Sequence, residues 1–198
     1  MFRTRGAAGS RGLSGATRGG RPRAVYASPM RRTLETAAIV ARPHRTSPPR
    51  PASGLREIGH GHWEERTRAE VESAFPEEYA AWEEDPFTFA PEGGESGLSV
   101  MARALPVIRE IVRAHAGKNV AVVSHKATIR LVLASLLGID ARGYRDRLDQ
   151  SPACLNIVDF KDPVRARLML YNDSSHYKRM PARDTESLSK WWDDPASG

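Results

Sequence analysis

Two short stretches place polar and charged side chains directly after an apolar run. Ala24-Val25-Tyr26-Ala27 is followed by Ser28, Arg31 and Arg32, and Val120-Ala121-Val122-Val123 is followed by Ser124 and His125. Each run has the length of a strand and leads into helical periodicity, so both read as strand-turn-helix units. In open α/β sheets, ligands bind at the carboxyl ends of the strands, which directs both turns to one crevice. Arginines in the first turn of a helix oppose the positive end of its dipole, at a cost of about 0.3–1 kcal/mol each on an exposed surface. An anion there would reverse that cost, because free helix amides and a guanidinium fork together suit a phosphate or a carboxylate. The bland reading is that both arginines are solvated or pair with Glu35. His125 reads either as a satisfied core histidine or, beside a guanidinium, as a second donor to the anion. Glu57, just after Leu55, is either a surface carboxylate or the acid that a phosphate ester needs to protonate its leaving oxygen.

Other candidates carry less. His60 and His62 have a spacing that could ligate a metal, but no further cluster of ligating residues supports it. Ser124 beside His125 lacks the glycine-x-serine-x-glycine elbow of a serine nucleophile. Asn172-Asp173-Ser174 fits a glycosylation sequon that reads as a chance match. Trp63, Tyr79, Trp82, Phe87 and Phe89 read as a small core of their own.

The elements that must position these residues follow from the pattern. Ser28 as N-cap and Pro29 at the first position open a helix whose Met30, Leu34, Ala37, Ala38 and Ala41 recur on one face until Pro43. Four prolines make residues 43–54 a loop. Residues 59–98 are acidic, aromatic and interrupted, an insertion of about 40 residues with a helix over 68–82. A second helix has Val100, Ala104, Val107, Ile108, Ile111 and Val112 on one face, Ser96 or Ser99 as cap, and Pro106 as a bend. The run at 120–123 is apolar at consecutive positions, as in a parallel strand covered on both faces, and a helix from it continues to Gly138. Residues 154–160 and 167–171 form a hairpin at a sheet edge, and a polar tail follows.

Composition sets limits on function. The 198-residue chain suits one compact domain. The longest strongly apolar run, residues 131–139, has nine residues, far short of the ~18–20 a bilayer requires. One cysteine, Cys154, cannot form an internal disulfide, and the start has no secretory pattern, so a reducing, cytoplasmic setting is expected. The net charge of +6 invites a nucleic-acid reading. Six of the 30 basic residues lie in the acid-free first 24 residues, however, which leaves 24 basic against 24 acidic groups in the rest. The body has no basic excess, and the Arg/Gly-rich residues 1–23 are expected to be disordered.

Taken in order, Val25-Tyr26-Ala27-Ser28-Pro29-Met30-Arg31-Arg32-Thr33-Leu34-Glu35-Thr36-Ala37, Leu55-Arg56-Glu57-Ile58-Gly59-His60-Gly61-His62-Trp63-Glu64, Gly93-Gly94-Glu95-Ser96 and Val122-Val123-Ser124-His125 resemble the histidine phosphatase (phosphoglycerate mutase-like) superfamily. The resemblance covers about residues 24–177, with 178–198 as tail. It implies a three-layer α/β sandwich with a mostly parallel sheet, and phosphoryl transfer through a phosphohistidine without metal or cofactor. By position, Arg32 resembles the second arginine of the family's phosphate pocket, Glu57 its general acid and His125 its second histidine.

The sequence departs from the family at its front. The nucleophilic histidine belongs to an arginine-histidine-glycine motif at the end of the first strand, and no histidine precedes His44. Thr4-Arg5-Gly6 is the nearest echo. The first strand and its helix are therefore expected to be missing or disordered, the sheet to carry an unpaired edge, and turnover to be impaired. With 25 arginines to 5 lysines, a truncated or misread start in a GC-rich gene is preferred over a transit peptide or a degenerate relative. The expected function is a phosphomonoesterase acting on a small phosphorylated metabolite, with no nucleic-acid or membrane partner. A non-catalytic phosphate-ester binder and a phosphoglycerate-mutase-type phosphotransferase are the alternatives. Lys126, at a position where the family more often has glycine, either reaches a second anionic group of a substrate or caps its turn, and the second is expected.

Overall fold

The computed structural model describes residues 2–4, 21–44 and 46–176. Its centre is a mostly parallel sheet. Strands β1 (Phe2–Thr4), β2 (Ala24–Ala27), β3 (Arg50–Pro51), β4 (Asn119–Val123), β5 (Leu155–Phe160) and β6 (Ala166–Asp173) lie in the order β3-β2-β4-β1-β5-β6. β3, β2 and β4 are parallel neighbours, and β5 with β6 forms the antiparallel hairpin at the edge.

Alternation along the strands builds the layers. Val25 and Ala27 of β2 and Ala121 of β4 pack with Ala37 and Ala41 of helix α1 (Arg31–Ala41) on one face. Ala24 and Val120 turn the other way, onto Ile111. That residue belongs to a later helix, α4 (Gly97–Ala114), which runs through Pro106. Beside it on the same face, α5 (Lys126–Leu137) contributes Val132, Leu133 and Ala134 to a cluster with Leu55, Ile108, Val158 and Phe160. Consecutive residues of β2 and β4 are thus apolar because each face is covered by helix, as in a buried parallel sheet.

Several sequence expectations are corrected in detail. α1 starts at Arg31 with Met30 as N-cap and no side-chain cap, so Ser28 is not the cap. The helix expected over 68–82 is two helices, α2 (Arg68–Ala74) and α3 (Pro76–Glu84), joined at Phe75. Pro76 cannot sit inside a helix without losing a backbone bond, but at the first position its missing N–H costs nothing. α2 opens with a capping box between Thr67 and Glu70. Phe87 leaves the aromatic group of the insertion and packs instead with Ile58, Val100 and Leu131.

The expected gap in the sheet is partly filled. β1, three residues long, lies between β4 and β5, antiparallel to the first and parallel to the second. Its pairing runs from Phe2 opposite Val120 to Arg3 opposite Asn119. β1 therefore heads toward the amino end of β4, away from Ser124 and His125, and Thr4 is not delivered to that turn. Where β4 and β5 extend past Phe2, Val122 and Asn156 line a cavity of about 50 Å³ together with Leu55, Ile108 and Val158. Apart from 2–4 and 21–23, the N-terminal segment expected to be disordered falls outside the described residues, as does the tail from 178.

Candidate active site

The carboxyl ends of β2 and β4 bring together the residues that the two turns carry. Ser28 N–H donates to the Val123 carbonyl (3.0 Å), which locks the two turns side by side. Arg32, in the first turn of α1, lies with its Nη2 3.0 Å from His125 Nδ1. Arg31 instead points to solvent and pairs with Glu35 at 2.7 Å. The two arginines, equivalent in the sequence, are therefore distinct: Arg31 takes the surface role and Arg32 turns into the crevice.

His125 is 7% exposed. Burial, and then the positive charges of Arg32 and Arg103, bring its pKa down to about 4. Its Nε2 is 2.8 Å from Ser28 Oγ. Ser124 hydroxyl donates to the Leu55 carbonyl (2.8 Å) and serves as a tie to the neighbouring segment.

Glu57 reaches the same place from the other side. Its carboxylate lies over the start of α5, where Ala127 N–H and Thr128 N–H point at it from 3.4 and 3.3 Å. Ile58 N–H donates to it at 3.0 Å. Burial raises the pKa of Glu57, and the amide and hydroxyl donors only partly offset that rise. A carboxyl held above its usual range suits a group that starts protonated and gives up its proton. Tyr144, packed with Ile58 and Ala127, is pushed up to about 12 by burial and stays a phenol.

The segment that carries Glu57 is braced by Arg103 of α4, which the sequence reading did not single out. All five of its N–H groups are used. Two go to the Glu95 carboxylate at 2.7 and 2.8 Å, and three to the carbonyls of Gly54, Arg56 and Glu57 at 2.8–2.9 Å. Glu95 also accepts from Gly59 N–H at 3.0 Å, and the bond from Arg103 holds its carboxyl below the usual range. Gly54 must be glycine for the segment to come this close, since a Cβ there would sit 2.5 Å from the Arg103 carbonyl oxygen. One signal was available: Arg103 falls on the same helical face as Val100, Ala104 and Val107, where an arginine needs partners.

The insertion has its own cluster of Trp63, Val71, Tyr79 and Trp82. His60 and His62 belong to that packing. His60 meets the Trp82 ring edge-on, with its pKa lowered by burial. His62 lies 3.2 Å from Glu78 and 4.5 Å, ring to ring, from Phe75. Among the described residues, no group of three or more histidine, cysteine or acidic side chains is arranged to hold a metal ion. None of the described helices is long and apolar enough to cross a membrane.

Comparison with known proteins gives a consistent set of matches. The model of the Histidine phosphatase superfamily (branch 1) matches residues 3–174. The chain is 34% identical over 116 residues to Phosphoserine phosphatase 1 of Hydrogenobacter thermophilus, an alignment covering 59% of this chain and 54% of that one. It is 36% identical over 126 residues to Glucosyl-3-phosphoglycerate phosphatase of Mycolicibacterium vanbaalenii, covering 60% and 55%. The chain thus spans about half the length of these curated relatives. Among solved structures, Bacillus stearothermophilus YhfR superposes with a TM-score of 0.72 at 28% identity, covering 78% of this chain and 76% of that one.

Proposed function

The chain belongs to the histidine phosphatase superfamily, and from that premise we propose that it is a phosphomonoesterase acting on a small phosphorylated metabolite. The observation that carries this reading is the convergence of Arg32 and His125, 3.0 Å apart, on the helix start that also holds Glu57. Arg32 and His125 bind the equatorial phosphate oxygens, where preset donors stabilise the charge that develops during transfer. Glu57, with its raised pKa, protonates the departing alkoxide. In the family the transfer goes through a phosphohistidine that water then cleaves, without metal or cofactor; no histidine stands before His44 in this sequence to be that nucleophile, so turnover by the chain as given is expected to be impaired. Its setting is the cytoplasm. The relatives named above act on phosphoserine and glucosyl-3-phosphoglycerate by their names, so hydroxyl-linked phosphates on small carboxylic acids are the first substrates to try. The insertion of about 40 residues leaves little to hold a substrate for re-transfer, which favours release to water over a mutase.

A second reading, binding of phosphate esters without turnover, is favoured by the absence of any histidine before His44 and by the direction of β1. One experiment separates the two. The protein is incubated with phosphoserine, 3-phosphoglycerate and glucosyl-3-phosphoglycerate, free phosphate is measured, and the shift in melting temperature with inorganic phosphate is recorded alongside. Phosphate release that Glu57→Gln abolishes supports the enzyme. Stabilisation with no release supports the binder, phosphate moved within the substrate supports the mutase, and neither stabilisation nor release removes every phosphate reading.

A further inference from the structure

Ser28 is completely buried, 0% exposed, where β2 turns into α1. Its Oγ lies 2.8 Å from His125 Nε2, and it accepts from Met30 N–H at 3.3 Å. The other ring nitrogen of His125, Nδ1, faces Arg32 Nη2 at 3.0 Å. A guanidinium has donors only, so Nδ1 must accept. The single proton of the neutral ring is then on Nε2, directed at Ser28 Oγ. In this state His125 offers an anion nothing: its N–H is spent on Ser28 and its lone pair on Arg32. To contact a phosphate, the ring must present N–H at Nδ1.

Two routes lead there. The ring can gain a second proton, or its one proton can change sides. The charged groups that bear on the ring are Arg32 from α1 and Arg103 from α4, both cationic, and they and burial oppose the first route. The second needs a partner at Nε2 that can both accept and donate, which a serine hydroxyl can do.

We propose that Ser28 is a positioning residue that sets the tautomer of His125. Its hydroxyl accepts from Nε2–H while Arg32 occupies Nδ1, and it donates to Nε2 once a phosphate draws Arg32 away. The ring loses its proton at Nε2 to water and gains one at Nδ1 from water, the hydroxyl rotates with its own proton, and no net charge is added. Met30 N–H donates to the same oxygen throughout, which holds the oxygen in place while its hydrogen turns. The inference rests on the phosphate-binding role of Arg32 and His125.

The test is long-range ¹H–¹⁵N NMR of the full chain with ¹⁵N-labelled histidine, with and without saturating inorganic phosphate. The His125 signals are assigned by their loss in His125→Gln. The free protein is expected to show the Nε2–H tautomer and the phosphate-bound protein the Nδ1–H tautomer. In Ser28→Ala, phosphate affinity falls about tenfold, the bound ring becomes doubly protonated, and affinity then weakens with rising pH. Ser28→Thr restores the hydroxyl and the wild-type behaviour. A free ring protonated at Nδ1, or a bound wild-type ring that keeps Nε2–H or carries both protons, overturns the proposal. Should Ser28→Ala not fold, the two wild-type spectra decide alone. Phosphate that perturbs neither Arg32 nor His125 overturns the phosphate reading and this inference with it, whereas binding with the wrong tautomer overturns only this inference.

Discussion

On one side of the crevice, His125 is held through side chains, Ser28 and Arg32. On the other side, Glu57 rides on a segment whose carbonyls at Gly54, Arg56 and Glu57 all accept from Arg103. The first arrangement can exchange partners, because an exposed guanidinium and a rotating hydroxyl have alternatives within reach. The second cannot, because five N–H groups in a rigid fork are all committed and the accepting carbonyls belong to the backbone. The difference matches what the proposed function asks of each half. A phosphate pocket has to release its internal bonds when the anion arrives, whereas a proton donor is useful only if it is already in place.

The largest effect should come from the rigid half. In a turning-over enzyme, Glu57→Gln is expected to lower kcat about a thousandfold on alkyl phosphates and to leave the affinity for inorganic phosphate unchanged. A parallel loss of affinity would mean that the carboxyl also holds the anion. Next, Arg103→Ala strands the Glu95 carboxylate and three carbonyls, so urea unfolding should show a loss of about 3 kcal/mol. Arg103→Lys should recover little of it, since an ammonium has three donors and no fork. A lysine variant as stable as the wild type would show that the brace is charge alone.

The adaptable half should respond in binding more than in stability. Arg32→Ala is expected to weaken phosphate binding tenfold to a hundredfold, while stability stays within about 0.5 kcal/mol because the side chain is exposed. The smallest effect is on the pH dependence of melting. His125 titrates near 6.5 when unfolded and at about 4 when folded. Between these values the unfolded chain binds the extra proton, so the contribution of the neutral ring is complete above about 6.5 and is lost as pH falls toward 4. Glu57 has the opposite sign. Its pKa is raised by folding, so its share is present at low pH and is lost as pH rises from 4.5 through the raised value. Melting temperature against pH for His125→Gln should lose the first slope and keep the second.

Much of this site is legible in the sequence. The runs at 24–27 and 120–123 are apolar at every position because α1 covers one face and α4 the other, and that is why both turns could be assigned to one crevice. Arg32, Glu57 and His125 were picked out by residue type and by their place after apolar residues. Ser28 was read as a helix cap because local signals allow nothing else, yet its partner is 97 residues away. Arg103 is hard to single out, since three of its five acceptors are backbone carbonyls, which every sequence has. The break at Pro76 is legible in the sequence, because proline at a first helical position ends one helix and starts the next.

The sequence by itself determined the alternation of strand and helix, the covered parallel sheet and the residue types that converge on the crevice, because these depend on periodicity and local backbone preference. Only the tertiary structure decided which of two adjacent arginines meets His125, which way β1 runs, and that Ser28 meets the other nitrogen of the ring. Those depend on distances of about 3 Å between residues far apart in the chain, and such distances exist only once the layers have packed.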